Sequence, residues 1–353
     1  MNIYYSDLFV LPLPAEHRFP MEKYEKLRNR VVRSPVCGDA RLLVPPPADD
    51  LELGLVHERE YLGRVVEGRL TRTELRTLGF PWSPELVARS RQSVGGTIAA
   101  GKSALADGVS ANLAGGTHHA FPDRGEGFCV FNDVAVAIHV LRARGAIRRA
   151  AVIDLDVHQG NGTAAIFQGD PDTFTLSVHG ARNFPFEKVP GDLDLPLPDG
   201  ASDGPFLEAV RHGVAAVLER MHPDLVFYLA GADAFRYDRL GRLDVSRAAL
   251  GERDEIVIGE LSSRDIPVAL VMGGGYAPDV EDTVEIHLRS VETAARAHEN
   301  RRRRATTAVQ LRTNRREETG RSGEGVESSN LRRMGGAGRS RRADRPLPRV
   351  LPG

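Results

Sequence analysis

Four short apolar runs in this 353-residue chain end in the same way. VSANLAGG (109–116), AAVIDLD (150–156), LVFYLAG (225–231) and PVALVMGGG (267–275) each pass directly into Gly, His or Asp, as GGTHH, DLDVHQGNG, GAD and GGGY. A fifth run, TFTLSV (173–178), lies among them, and helix-length stretches at 132–144, 205–220 and 247–263 separate them. Continuous apolar strands alternating with helices predict a parallel sheet buried on both faces, hence a three-layer α/β/α fold. In such sheets ligands bind beyond the carboxyl ends of the strands. The four polar clusters are therefore expected on one rim, with each run buried until its acids begin, after Ile153 in the second.

The flanks add less. Leu86, Val87, Val94, Ile98 and Leu105 recur at near-helical spacing over 84–107, and prolines surround a predicted helix at 21–33 in an otherwise irregular stretch of residues 1–50. With 41% hydrophobic and 27% charged residues the composition is that of a soluble globular protein. No apolar run reaches the ~18 residues of a membrane span, and MNIYYSDLFV lacks the pattern of a secretory signal. Cys37 and Cys129 form no CxxC, which fits a reducing compartment, so a cytoplasmic location is expected.

The net charge of −1 hides two unlike parts. From Arg301 onward there are 15 Arg, no Lys and five acids, a surplus of +10 that leaves −11 on the first 300 residues. Residues 299–353, rich in Arg, Gly and Ser, are expected to be a disordered, solvated tail, and any contact with nucleic acid is expected only there. The acidic body suits a cationic substrate.

Asp154, Asp156 and His158 alternate along one strand end, so they start on one side before the loop re-aims them. Two carboxylates this close repel unless a cation or proton lies between them. With imidazole beside them they suit zinc or another divalent transition metal, and Asp233 is the natural third ligand from a neighbouring strand end. The competing reading is capping and salt bridges. Three protein ligands leave a position open for water, and such water needs a general base, for which His118 and His119 are candidates. Tyr276, after three glycines, offers a phenol to stabilise an oxyanion. GGG alone also fits a tight turn or a phosphate loop.

GGTHHAF, GFCVFND, DLDVHQGNG, AGAD and GGGY, in this order, resemble the histone deacetylase superfamily of zinc amidohydrolases from about residue 3 to 293. HQGNG, HRFPMEKY (17–24) and DRLGRLDVS (238–246) look most like its class IV branch and bacterial relatives. The resemblance implies an arginase/deacetylase-type domain over residues 1–298, with a mostly parallel sheet of about eight strands. It implies one zinc held by Asp156, His158 and Asp233, with His119 as general base and then acid. His118 would be its electrostatic partner, with Asp154 behind it, and Tyr276 would polarise the scissile carbonyl. Gly127, Phe128 and Phe184 would wall a channel for an acyl-lysine side chain. Asp154, Asp156, His158, Ser177 and Val178 would surround an inner potassium ion.

One departure stands out. Asn161 occupies the place where many members pair the second His with Asp, so His119 is expected to keep a lower pKa than a His–Asp dyad gives. Gln159 stands where other branches carry a second His, and no role is assigned to it. The resemblance implies a deacylase acting on acyl-lysine in proteins or peptides, or an acetylpolyamine amidohydrolase. A binuclear manganese hydrolase on the same fold and an inactive acyl-lysine-binding module are the other readings.

Overall fold

The apolar runs become strands that are shorter than the runs themselves. The computed structural model describes residues 1–7, 11–14 and 16–324. Its strands are β1 (Asn2–Tyr4), β2 (Arg41–Leu43), β3 (Val109–Asn112), β4 (Ala150–Asp154), β5 (Thr173–Gly180), β6 (Leu193–Leu197), β7 (Leu225–Leu229) and β8 (Val268–Val271). They form one eight-stranded sheet in the order β2-β1-β3-β8-β7-β4-β5-β6, and every pairing is parallel. The helices are α1 (Glu22–Arg33), α2 (Asp50–Leu53), α3 (Arg59–Val66), α4 (Arg72–Leu78), α5 (Pro84–Asp107), α6 (Asp133–Ala143), α7 (Asn161–Phe167), α8 (Asp203–Arg220), α9 (Arg247–Ser263) and α10 (Val280–Glu324).

Side chains alternate across the strands and feed two cores. Ile153, Val226, Tyr228 and Leu270 join Val214 of α8, Val257 of α9 and Val291 of α10 on one face. Val152, Phe227, Leu229 and Ala269 join Ile98 of α5 and Val136 of α6 on the other. The long helix α5 is set by local chemistry: the Ser83 hydroxyl accepts from Leu86 N, Pro84 opens the first turn, and Gly108, at φ 84°, ends it.

The carboxyl ends of the central strands fall in one row. Asn112 pairs with Val271, Val271 with Leu229, Leu229 with Asp154, and Asp154 with Ser177. Because β8 and β7 insert between β3 and β4, the loops after these four strands meet over the middle of the sheet.

Three expectations need amending. Residues 1–50, read as irregular around one helix, also carry β1 and β2. Strands of three residues are too short to show a period; pairing of β1 with β3, and of β2 with β1, creates them. The acids do not leave the core, because Asp154, Asp156 and Asp233 are at most 3% exposed. Buried carboxylates persist when partners satisfy them, and the partners here are histidines. The segment expected to be disordered from residue 299 is helical through Glu324 as the end of α10. Residues 299–319 contain neither Gly nor Pro and include seven Arg, a strong helix former. Residues 325–353 lie outside the described residues. The chain divides into two units, Met1–Arg302 and Arg303–Gly353.

Candidate functional site

The loop after β3 is held from below. Asp133, fully buried in the first turn of α6, accepts from Gly116 N at 3.1 Å, Thr117 N at 2.7 Å and the Thr117 hydroxyl at 2.6 Å. That grip presents His118 and His119, each 4% exposed, with ring centroids 4.1 Å apart. His118 Nδ1 meets Asp154 Oδ2 at 2.6 Å, and His119 Nδ1 meets Asn161 Oδ1 at 2.8 Å. The amide nitrogen of Asn161 donates to Glu126 Oε1 at 2.5 Å. That donation turns the Asn161 oxygen toward His119, so Nδ1 carries the proton and Nε2 keeps its lone pair.

The two histidines are pushed apart electrically. Burial opposes a charge on His118, yet the Asp154 and Asp156 carboxylates outweigh it and push its pKa up to about 9. Burial, reinforced by His118 and His158, holds His119 well below the ordinary histidine value, while the Asn161 hydrogen bond pulls it weakly upward. One ring is charged and its neighbour neutral, the pattern that separates an acid from a base.

Beyond β4 and β7, His158 Nδ1 lies 2.9 Å from Asp156 Oδ1 and 3.1 Å from Asp233 Oδ2. Ligand atoms of Asp156, His158 and Asp233 all lie within 4.8 Å of one another, and all three side chains are buried. A nitrogen and two carboxylates in so small a volume are the donor set of a divalent cation site. Burial and the Asp156 carboxylate push Asp233 up to about 7. Burial opposes charging His158, but its hydrogen bonds to Asp156 and Asp233 lift it to about 10.

Glycine is required around this triad by close approach. Gly274 N donates to Asp156 Oδ2 at 2.7 Å, and a Cβ on Gly274 would overlap the Asp233 carboxylate. GGGY is therefore the back wall of the triad rather than a phosphate loop. Its Tyr276 is 9% exposed, with its ring 6.5 Å from His158 and 5.9 Å from Phe128. Burial, then Asp233 and Asp156, push the phenol pKa well above its ordinary value, so it stays a donor.

Two cavities meet at these residues. The outer one is lined by Phe184, Phe186 and Leu240, the inner one by Phe19, Phe80, Arg89 and Ser93; both share His119, Gly127, Phe128, His158 and Tyr276. Phe128 has φ 68°, rare for a bulky residue, which holds its ring in the channel wall. Phe184 stacks edge-on against His119 at 4.9 Å. Asp154 and Ser177 pair across β4 and β5, with Val178 next in line.

Every residue singled out from the sequence for the candidate metal site and the candidate base is thus brought together. The sequence reading missed Asp133, Glu126, Asp238 and Arg253. Asp238 accepts from Leu240 N at 2.8 Å, Gly241 N at 3.0 Å and Tyr276 N at 2.6 Å. Arg253, fully buried, donates to Gly231 O at 2.6 Å behind Asp233 and pairs with Asp254 at 2.9 Å. Only Asp133 had a local signal, an Asn-Asp pair opening an apolar helix.

The Histone deacetylase domain model matches residues 17–291. An uncharacterized protein of Picosynechococcus sp. is 44% identical over 81% of this chain and 95% of its own. A histone deacetylase-like amidohydrolase of Pseudomonas aeruginosa is 32% identical over 66% of this chain and 65% of its own. The crystal structure of an HDAC homolog from Aquifex aeolicus superposes with a TM-score of 0.70 at 25% identity, covering 83% of each chain. Sequence, fold and site agree, and the chain belongs to the histone deacetylase family.

Proposed function

We propose that this protein is a zinc-dependent hydrolase that removes acyl groups from acyl-lysine side chains. The carrying observation is the junction of the two cavities. There the candidate metal triad, a neutral His119 with a free Nε2 and a protonated Tyr276 converge on one point. A zinc ion held by Asp156, His158 and Asp233 would supply Lewis acidity and activated water. His119 Nε2 takes the proton as water attacks the carbonyl and returns it to the departing amine. The Tyr276 hydroxyl donates to the developing oxyanion. His118, charged and tied to Asp154, keeps positive charge beside the reacting centre and holds His119 neutral. The walls formed by Gly127, Phe128 and Phe184 suit an aliphatic lysine stem.

A potassium ion near Asp154, Asp156, His158, Ser177 and Val178 belongs to the same reading. The adjacency of Asp154 and Ser177 supports it. The two buried free cysteines, Cys37 and Cys129, favour a cytoplasmic setting.

The test is the purified protein, with its metal content measured, against acyl-lysine peptides from acetyl to myristoyl and against acetylpolyamines. Turnover of an acyl-lysine peptide with about one zinc per chain is expected, and His119→Ala should lower kcat by ~10²–10⁴-fold. Two manganese ions per chain, or turnover of no amide, would overturn the reading.

A further inference from the structure

The mouth of the outer cavity carries a charge opposite to that of the body around it. Its lining includes Arg18, Arg182, Arg239 and Arg242 and no carboxylate. All four arginines are exposed. Asp199 meets two of them, Arg242 at 3.0 Å and Arg182 at 3.6 Å, so one acid is shared between two cations. Arg18 and Arg239 make no ion pair among the described residues. The rim therefore keeps a surplus of positive charge on a body whose first 300 residues, the rim included, sum to −11.

This rim is built rather than loose. Asn183, 2% exposed, donates to Leu240 O at 2.7 Å and accepts from Arg242 N at 3.2 Å, which staples the loop bearing Arg182 to the loop bearing Arg239. Asp238 ties that second loop to the Tyr276 backbone. Lys188 closes the first loop on itself by donating to Asn183 O at 2.7 Å. Phe186, 83% exposed, stands among the arginines as an uncovered aromatic.

The geometry points to an anion-recognition rim: the substrate class is an acyl-lysine flanked by acidic residues in a peptide. The assignment rests on the deacylase reading for the acyl-lysine and on the rim alone for the acidic flanks. Carboxylates on either side of the modified lysine would meet Arg18 and Arg239, which make no ion pair among the described residues. A basic segment, or a polyamine with further ammonium groups beyond the scissile amide, meets like charge at the same distance from the channel. Overall charge is compatible with a cationic peptide or polyamine, while the charge at the mouth has the opposite sign.

The test uses the full-length, metal-loaded protein and three matched acetyl-lysine peptides, flanked by Asp and Glu, by Arg, or by Gly and Ala, with an acetylated diamine as a fourth substrate. The acid-flanked peptide is expected to exceed the Arg-flanked one by about tenfold or more in kcat/KM at low salt, with the ratio shrinking near 0.5 M salt. Arg18→Glu/Arg239→Glu, at exposed positions without ion pairs, should invert that ratio, and an unchanged Tm would show that the fold is intact. Fluorescence anisotropy of the same peptides reads the rim without chemistry. If no peptide turns over but the acid-flanked one binds more tightly and loses that advantage in the variant, the rim stands and the deacylase reading falls. Equal kcat/KM and equal binding across flanks, or preference for the Arg-flanked peptide or the diamine, overturns the rim.

Discussion

Asn161 faces two ways, accepting from His119 and donating to Glu126. From the sequence it was visible as the neutral substitute for a dyad acid only through the family resemblance, which places it in HQGNG. Glu126 was not visible, because it reaches Asn161 only through the loop before α6. The consequence is a base whose orientation is fixed without a carboxylate touching it. As the base proposed above, His119 would work when neutral, so activity should rise as pH climbs through its pKa. Asn161→Asp would stabilise the imidazolium, raise that pKa and move the acidic limb of the kcat/KM profile to higher pH, by about one unit or more. A limb that stays in place would refute this account.

Behind the triad, β7, α9 and α10 share one buried polar cluster. The Tyr228 hydroxyl donates to Asp254 at 2.5 Å, the Ser290 hydroxyl donates to it at 2.6 Å, and Arg253 pairs with it and holds Gly231. Nothing in the helical pattern of 247–263 marks Arg253 and Asp254 as interior, since charged neighbours usually belong to a solvated face. They are interior because α9 packs across the end of β7, and the ion pair fills the space where the Asp233 loop begins. Removing one partner of such a pair strands a charge in the core. Asp254→Leu is therefore expected to lower the unfolding free energy by about 3–5 kcal/mol in a urea titration. Arg253→Met/Asp254→Leu should recover most of that loss. Equal losses in the single and double variants would show that packing, not charge, dominates the cluster.

Across the whole molecule, both cores and all site residues fall within Met1–Arg302. A chain ending at Arg302 should keep its Tm within about 2 °C and its kcat/KM within about twofold, measured by calorimetry and peptide hydrolysis. A larger loss would show that Arg303–Gly353 supports the site. The sequence by itself determined the parallel sheet, the helices between its strands and the residues of the candidate metal and base clusters. Those depend on periodicity and on loop chemistry, which act over a few neighbours in the chain. Only the tertiary structure decided how deeply the acids are buried, which residues hold the loops from behind, and that arginines gather at the mouth. Arg18 and Arg239 are 221 positions apart in the chain. Their shared field exists only where folding brings Arg18 and the loop after β7 to one opening, because charge acts through space rather than along the sequence.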